Sequence, residues 1–206
     1  MNPNPADLSE PLKFDVLIVG SGLAGLSAAL LLAPTQRVAV ITKRAVSEGS
    51  SGWAQGGIAA VWNKDDSFAA HIQDTQIAGA GLCDLDATRF VVENAPKAIA
   101  WLQSMGVPFS QEDGQLHLTR EGGHSARRIV HVTDATGAAV QTTLIEAALK
   151  TPNITLFEQH TLVDLITTDK LGLPGKRCLG LYALDSATGR VLTFQAPQTI
   201  LATGGA

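Results

Sequence analysis

The stretch that decides the fold is "GSGLAG", residues 20–25, which joins an apolar run to an apolar helix candidate. Residues 14–19, "FDVLIV", contain a continuous apolar run after Asp15 and are rich in β-branched side chains, which predicts a buried strand. A helix is predicted from Leu23 until Pro34 ends it, and residues 37–42, "RVAVIT", predict a second buried strand. Such a strand-helix-strand order predicts a parallel, right-handed unit, which is half of a nucleotide-binding fold.

The glycines of this motif have distinct roles in a strand-turn-helix setting. Gly20 permits the tight turn, Gly22 lets a pyrophosphate approach the backbone, and Gly25 lets helix and strand pack closely. The N-terminus of the helix would add N–H donors and a partial positive charge. The motif alone leaves NAD, NADP and FAD open. Lys43 and Arg44 stand where an acid would normally hold the ribose, a departure that favours a 2'-phosphate and therefore NADP.

The rest of the chain predicts further helices and strands. Asp86 can cap a helix that runs to Asn94, and Pro96 suits the first turn of another helix that ends at Gly106. Later segments are a tight turn at 112–115, a helix at 137–150, a strand at 153–159, three strands of an antiparallel meander at 161–169, 178–185 and 190–196, and a last strand that starts at Thr199 and breaks at Gly204. The predicted fold class is therefore α/β: a Rossmann-like domain with a parallel sheet, helices and an antiparallel three-stranded β-meander.

Composition narrows the class of protein. With 206 residues, 45% hydrophobic content and a net charge of -4, the chain predicts a globular protein without a basic field for nucleic acid or anionic lipid. The first residues lack the basic and apolar regions of a signal peptide, and residues 23–33 are too short to cross a bilayer. Cys83 and Cys178 suggest neither a disulfide framework nor a zinc site. We expect a cytoplasmic protein with no nucleic-acid or membrane partner.

A second motif, "EGSSGWAQGGIAA", covers residues 48–60. It is too rich in glycine for a helix and too long for an ordinary turn, so it is either disordered or wrapped around a ligand. Trp53 and the apolar residues that follow favour a packed ligand loop, because disordered linkers seldom carry tryptophan.

A third motif, "LTREGGHSARRIVH" at residues 118–131, sets one carboxylate, Glu121, among cationic side chains. Three histidines recur every seven residues in and just before this stretch: His117, His124 and His131. Gly122 and Gly123 interrupt any helix that would align them, and no Asp/Cys ligand set accompanies them, so no metal site is predicted.

Taken together, "GSGLAG", "TK", "SSGWAQGGIAA", "REGGHSARR", "DATG" and "ATGG" resemble the flavoprotein family of succinate dehydrogenase and fumarate reductase, in particular its aspartate-oxidising branch. The resemblance runs over residues 14–206. It implies FAD as cofactor, held on the glycine turn and along residues 50–57, whose backbone would lie against the isoalloxazine. Lys43 matches the residue that this family has in place of the ribose acid, so the NADP interpretation loses its main support. The strand near Val163 resembles the segment that passes the adenine. The cofactor-binding residues implied are Gly20, Ser21, Gly22, Leu23, Ala24, Gly25, Lys43, Ser50, Ser51, Gly52, Trp53, Ala54, Gln55, Gly56, Gly57 and Val163.

The resemblance also gives Glu121 a role. Relatives that handle dicarboxylates have an apolar residue at this position, whereas the aspartate-oxidising branch shares "REGGH", and its substrate differs from succinate by one ammonium group. A carboxylate there would recognise that group. The alternative is an exposed glutamate paired with Arg120 or Arg127. Arg127 and Arg128 would either orient the loop or meet a substrate carboxylate.

The function implied is FAD-dependent oxidation of L-aspartate to iminoaspartate, with oxygen or fumarate as electron acceptor. This is the first step of quinolinate and NAD biosynthesis, with quinolinate synthase as the downstream enzyme. A succinate dehydrogenase-type flavoprotein and, for this chain alone, a non-catalytic FAD-binding module are the alternatives.

The predicted organisation is a flexible tail at 1–13 and the N-terminal portion of a FAD-binding domain at 14–206. The capping and helical C-terminal domains would lie outside this chain, which we therefore expect to be inactive by itself. The flavin-bonded histidine of some relatives falls at Ser50, so FAD is expected to bind without a covalent link.

Overall fold

The computed structural model describes residues 10–133 and 135–205. Their contacts divide into two compact units. The first contains the described residues up to Ser50 together with those from Leu144 onward, and the second is Ser51–Thr143. The stretch predicted as one FAD-binding domain thus contains two packing units.

The first unit contains a parallel sheet that confirms the predicted strand-helix-strand arrangement. Its strands lie in the order β13 (Gln198–Leu201), β2 (Val16–Val19), β3 (Val38–Ile41) and β9 (Ile154–Phe157), and all neighbouring pairs are parallel. Every residue of β2 and β3 is buried, as expected for a sheet with both faces covered. Helix α1 (Leu23–Leu32) connects β2 to β3.

A second sheet of the same unit is the predicted antiparallel meander. It consists of β10 (His160–Thr167), β11 (Cys178–Asp185) and β12 (Val191–Gln195), paired in that order. Strand β1 (Leu12–Lys13) pairs in parallel with β12. These two residues lie inside the predicted tail of residues 1–13, and they contribute backbone hydrogen bonds to this sheet; residues 1–9 lie outside the described part. The fold class predicted from the sequence is confirmed.

The second unit combines two packed helices with short strands. Helix α2 (Phe68–Ala78) was not predicted, and it begins at Ser67, whose hydroxyl accepts the N–H of Ala70. Strand β4 (Ile58–Ala59) and strand β7 (Leu118–Thr119) flank the central strand β8 (Ile129–Val130). Strands β5 (Gln111–Glu112) and β6 (Gln115–Leu116) form a hairpin that confirms the predicted tight turn. Helix α4 (Thr136–Lys150) begins in this unit, and its residues from Leu144 onward belong to the first unit.

The two helices predicted at residues 86–94 and 96–106 are wrong. The chain forms one helix, α3 (Leu85–Ser104), with Pro96 in its interior. Asp84 caps it by accepting the N–H of Ala87 at 2.7 Å. Proline usually breaks a helix because it removes one hydrogen bond and crowds the preceding turn. Here the buried face of the helix continues past Pro96, and its packing keeps the helix intact. This face is formed by Val92, Ile99 and Leu102.

Candidate functional site

The turn between β2 and α1 depends on glycine, as the motif predicts. Gly20 has φ +113°, and a Cβ added there would lie 2.2 Å from the carbonyl oxygen of Ala202. A Cβ at Gly25 would lie 1.9 Å from the carbonyl oxygen of Gly20. Both contacts are with backbone, so a side chain at either position would displace the turn from the sheet.

The N-terminus of α1 offers free N–H donors. Gly22 is its N-cap in extended conformation, no side chain caps the helix, and no acidic residue lies in its first turn. The first N–H groups of a helix have no intrahelical acceptor. This end therefore suits the pyrophosphate of a dinucleotide.

Ser21 uses its side chain within the protein. It is buried, and its hydroxyl donates to Thr42 Oγ1 at 3.0 Å. The N–H of Val46 donates to Glu158 Oε1 at 2.5 Å. These bonds fix the segment after β3 that carries the exposed Lys43. The sequence pattern gave no sign of the Glu158 contact, since its partners are 112 positions apart.

Val163 lies in β10 at an irregularity, where the register with β11 shifts between Leu162 and Asp164. Its side chain is 57% exposed. A bulge of this kind re-aims a side chain, and it leaves Val163 available for contact with a ligand.

The loop at residues 50–57 is packed, but not for the reason the sequence suggested. Its first half is a 3-10 turn at Ser50–Trp53, and Trp53 is 85% exposed. A Cβ at Gly57 would lie 2.4 Å from the carbonyl oxygen of Val130, and one at Gly137 would lie 2.0 Å from that of Ser51. The close approach of backbone at these two glycines, and not tryptophan packing, holds the loop.

Glu121 lies beside this loop. The N–H of Gly57 donates to Glu121 Oε1 at 3.4 Å, and the two carboxylate oxygens lie 3.7 and 3.8 Å from where a Cβ of Gly56 would be. Within residues 10–133 and 135–205, Glu121 makes no ion pair, so the predicted alternative partners Arg120 and Arg127 do not neutralise it. The carboxylate is exposed and is available to a cation.

The two adjacent arginines have different roles. Arg127 is exposed, and its Nε donates to the carbonyl oxygen of Leu118 at 3.1 Å. Arg128 is fully buried: Nε and Nη2 donate to both oxygens of Asp66 at 2.8 and 2.7 Å, and Nη1 donates to Asp74 Oδ2 at 2.7 Å. The guanidinium of Arg128 is thus buried and paired with carboxylates of the protein itself, whereas Arg127 is exposed.

Asp74 joins this arginine to the Glu121 loop. Its Oδ2 accepts the backbone N–H of Ser125 at 2.8 Å and the Ser125 hydroxyl at 2.7 Å. These two hydrogen bonds, followed by that from Arg128, lower the pKa of Asp74 to about 2. The carboxylate therefore stays charged at any pH at which the protein is expected to work.

Two histidines lie beside the hydrogen-bond network that Arg128 forms with Asp66 and Asp74. The rings of His71 and His124 are 5.5 Å apart, and His71 is buried. Burial, followed by the charge of Arg128 and by His124, lowers the pKa of His71 below its usual 6.5, although Asp66 and Asp74 act in the opposite direction. His117 packs against His131 instead, so the three evenly spaced histidines do not converge.

This lowered pKa predicts sensitivity to acid. Unfolded His71 takes up a proton near pH 6.5, whereas the folded protein resists it, so the free energy of unfolding falls as pH falls below that value. We expect the Tm of the whole protein to drop by a few degrees more between pH 7.5 and 5.5 than that of His71→Gln. Thermal unfolding at both pH values measures this. Equal drops in Tm would show that His71 is not responsible.

The described residues hold no helix both long and apolar enough to cross a bilayer. In the same ranges, no three or more side chains of His, Cys, Asp or Glu are grouped as metal ligands.

A glycine turn between a strand of a parallel sheet and an uncapped helix N-terminus is typical of a dinucleotide-binding α/β protein. The chain belongs to the family described as FAD binding domain, whose model matches residues 15–206. This confirms FAD as the cofactor. The fit is structural as well, since Gly20 and Gly25 leave no room for side chains where the backbone must approach the cofactor.

Relatives confirm the resemblance found in the sequence. The chain is 59% identical over 198 residues to "L-aspartate oxidase 1" of Ralstonia nicotianae and 52% identical over 207 residues to an L-aspartate oxidase of Pseudomonas aeruginosa. These matches cover 95% and 97% of this chain but only 37% and 38% of the relatives. Among solved structures, a quinol fumarate reductase of E. coli matches with a TM-score of 0.87 and 32% identity, covering 96% of this chain and 34% of that one. The chain thus spans little more than a third of the length of these proteins.

Proposed function

We propose that the whole protein containing this chain oxidises L-aspartate to iminoaspartate with FAD as cofactor. The observation that carries the proposal is the exposed carboxylate of Glu121, which lies beside Gly56 and Gly57 with no basic partner in the described ranges. The high identity to proteins named L-aspartate oxidase supports it.

In this proposal the chain's residues bind and orient. The N–H groups at the start of α1 would bind the pyrophosphate, Lys43 would stand in the position of the acid that usually holds the ribose, and the backbone of residues 50–57 would contact the isoalloxazine. Glu121 accepts hydrogen bonds from the substrate ammonium, a charge-assisted contact that succinate and fumarate do not make. FAD, when bound, supplies the acceptor for the hydride that leaves Cα, while the amino group loses a proton.

Oxygen, reduced to hydrogen peroxide, or fumarate, reduced to succinate, would be the final electron acceptor. The product has the chemistry expected of a precursor for quinolinate, so quinolinate synthase is the proposed downstream enzyme and NAD biosynthesis the proposed pathway, in the cytoplasm. Purified whole protein should form hydrogen peroxide with L-aspartate in air, and should not do so with succinate. Absence of any L-aspartate-dependent peroxide or succinate formation would refute the proposed activity.

We also propose that FAD is held without a covalent bond. Ser50 occupies the position at which some relatives carry a flavin-bonded histidine, and a hydroxyl is a poor nucleophile without an activating base. Acid precipitation of the FAD-loaded protein should therefore leave the yellow flavin in the supernatant. Flavin that remains with the washed pellet would contradict the proposal. Heat-denatured protein, extracted in parallel, controls for trapping in the precipitate.

A further inference from the structure

We infer that Arg128, acting through Asp74 and Ser125, is a positioning residue that fixes the carboxylate of Glu121 for recognition of the substrate amine. The inference rests on the proposed function and deepens it. It concerns how the turn at residues 121–125, here called the recognition turn, is held in place.

The carboxylate of Glu121 is not fixed by strong contacts of its own. Its hydrogen bond from Gly57 is long, 3.4 Å, and its side chain is exposed. The turn contributes one long internal bond, from the N–H of His124 to the carbonyl oxygen of Glu121 at 3.3 Å. Glycines at 122 and 123 add backbone freedom, and Gly123 has φ +83°. The orientation of Glu121 must therefore depend on what holds the end of the turn.

Strong bonds hold that end. Ser125 donates twice to Asp74 Oδ2, at 2.8 and 2.7 Å, and the same oxygen accepts from Arg128 Nη1 at 2.7 Å. Arg128 Nη2 also lies 3.4 Å from the Ser125 hydroxyl. Charge-assisted bonds of this length are about twice as strong as neutral ones. The recognition turn is thus attached through Asp74 to helix α2.

The anchor itself cannot move easily. Arg128 is 0% exposed, Asp66 and Asp74 are 3% and 15% exposed, and Asp66 receives both remaining guanidinium contacts. The backbone of Arg128 is fixed as well, since its carbonyl oxygen accepts the N–H of Ala60 at 2.8 Å. Leaving a buried charge without one of its partners costs free energy, so the network of Arg128, Asp66 and Asp74 keeps a single arrangement.

Two variants of the whole, FAD-loaded protein test the inference. Ser125→Ala removes the serine hydroxyl from Asp74 and leaves the buried ion pairs intact, and Arg128→Lys keeps the charge but loses the paired geometry. We expect each to lower kcat/KM for L-aspartate about three- to tenfold, with fumarate reduction within about twofold of wild type and with unchanged FAD content. Ser104→Ala, an exposed serine of α3, is the matched control and should have no effect.

Combination with Glu121→Gln separates positioning from general destabilisation. If Arg128 and Ser125 act through Glu121, their effect on the ratio of aspartate to fumarate activity should disappear in the Glu121→Gln background. A purely structural role would lower both activities in both backgrounds and would overturn the inference. If Arg128→Lys fails to fold, Ser125→Ala alone decides.

Hydrogen exchange gives a measurement that does not need activity. In Ser125→Ala, amides of residues 121–125 should exchange faster than in wild type, while those of α3 stay unchanged. Unchanged exchange in the recognition turn would overturn the inference. If wild type shows no aspartate oxidation, the proposed function fails, and exchange still reports whether the network orders the turn.

Discussion

Glu121→Gln in the whole, FAD-loaded protein is expected to lower kcat/KM for L-aspartate about ten- to hundredfold while fumarate reduction holds or improves. The variant removes a charged contact made to the substrate ammonium, and such contacts contribute roughly 1.5 to 3 kcal/mol. Fumarate lacks the ammonium group, so it loses nothing and escapes repulsion by the carboxylate. Both activities are measured on one preparation with equal flavin content.

The surroundings of Glu121 explain why its substitution should affect L-aspartate oxidation and not fumarate reduction. Glu121 makes no ion pair within the described ranges, so the variant frees no arginine that would bind the product or substrate carboxylates differently. Glu93→Gln, an exposed glutamate of α3, is the matched control and should change neither activity. Equal losses in both activities would mean that Glu121 supports the loop and does not recognise the amine.

Gly25→Ala is expected to weaken FAD binding about ten- to hundredfold. Its Cβ would lie 1.9 Å from the carbonyl oxygen of Gly20, which is part of the backbone of the turn. Overpacking of this kind costs typically 1 to 3 kcal/mol, and the required shift of the turn would withdraw N–H donors from the pyrophosphate. Titration of apoprotein with FAD measures the change in Kd.

Leu31→Ala is the control, because it alters the same helix at a side chain that is 64% exposed. It should bind FAD as wild type does. If Gly25→Ala also retains wild-type affinity, close packing at the glycine turn does not position the cofactor, and the motif would serve the fold alone.

The elements that were predicted correctly are determined by short stretches of sequence. The strand at residues 14–19, the glycine turn and the strands of the meander each follow from short runs of residue type, and the structure confirms them. The helix around Pro96 shows where local rules fail. Pro96 predicts a helix boundary, but the buried face of α3 continues on both sides of it. Tertiary packing therefore determines that a single helix forms.

The network around Arg128 could not be predicted from the sequence. Its partners Asp66 and Asp74 lie 62 and 54 positions away, and no periodic pattern links them. The same holds for Gly137, which contacts the loop at Ser51 only because the start of α4 packs there. The role of Glu121 was predicted from the resemblance to the family. The structure adds that neither Arg120 nor Arg127 forms an ion pair with it within the described ranges.

The measurement that tests the account most directly is anaerobic titration of the whole, FAD-loaded protein with L-aspartate. We predict that the yellow flavin absorbance bleaches on addition of L-aspartate and returns when air or fumarate is admitted. Succinate at the same concentration, added to a separate sample, controls for a general dicarboxylate dehydrogenase and should bleach the flavin far less. Flavin that stays oxidised with L-aspartate, or that bleaches equally with succinate, would contradict the proposed recognition of the substrate amine by Glu121.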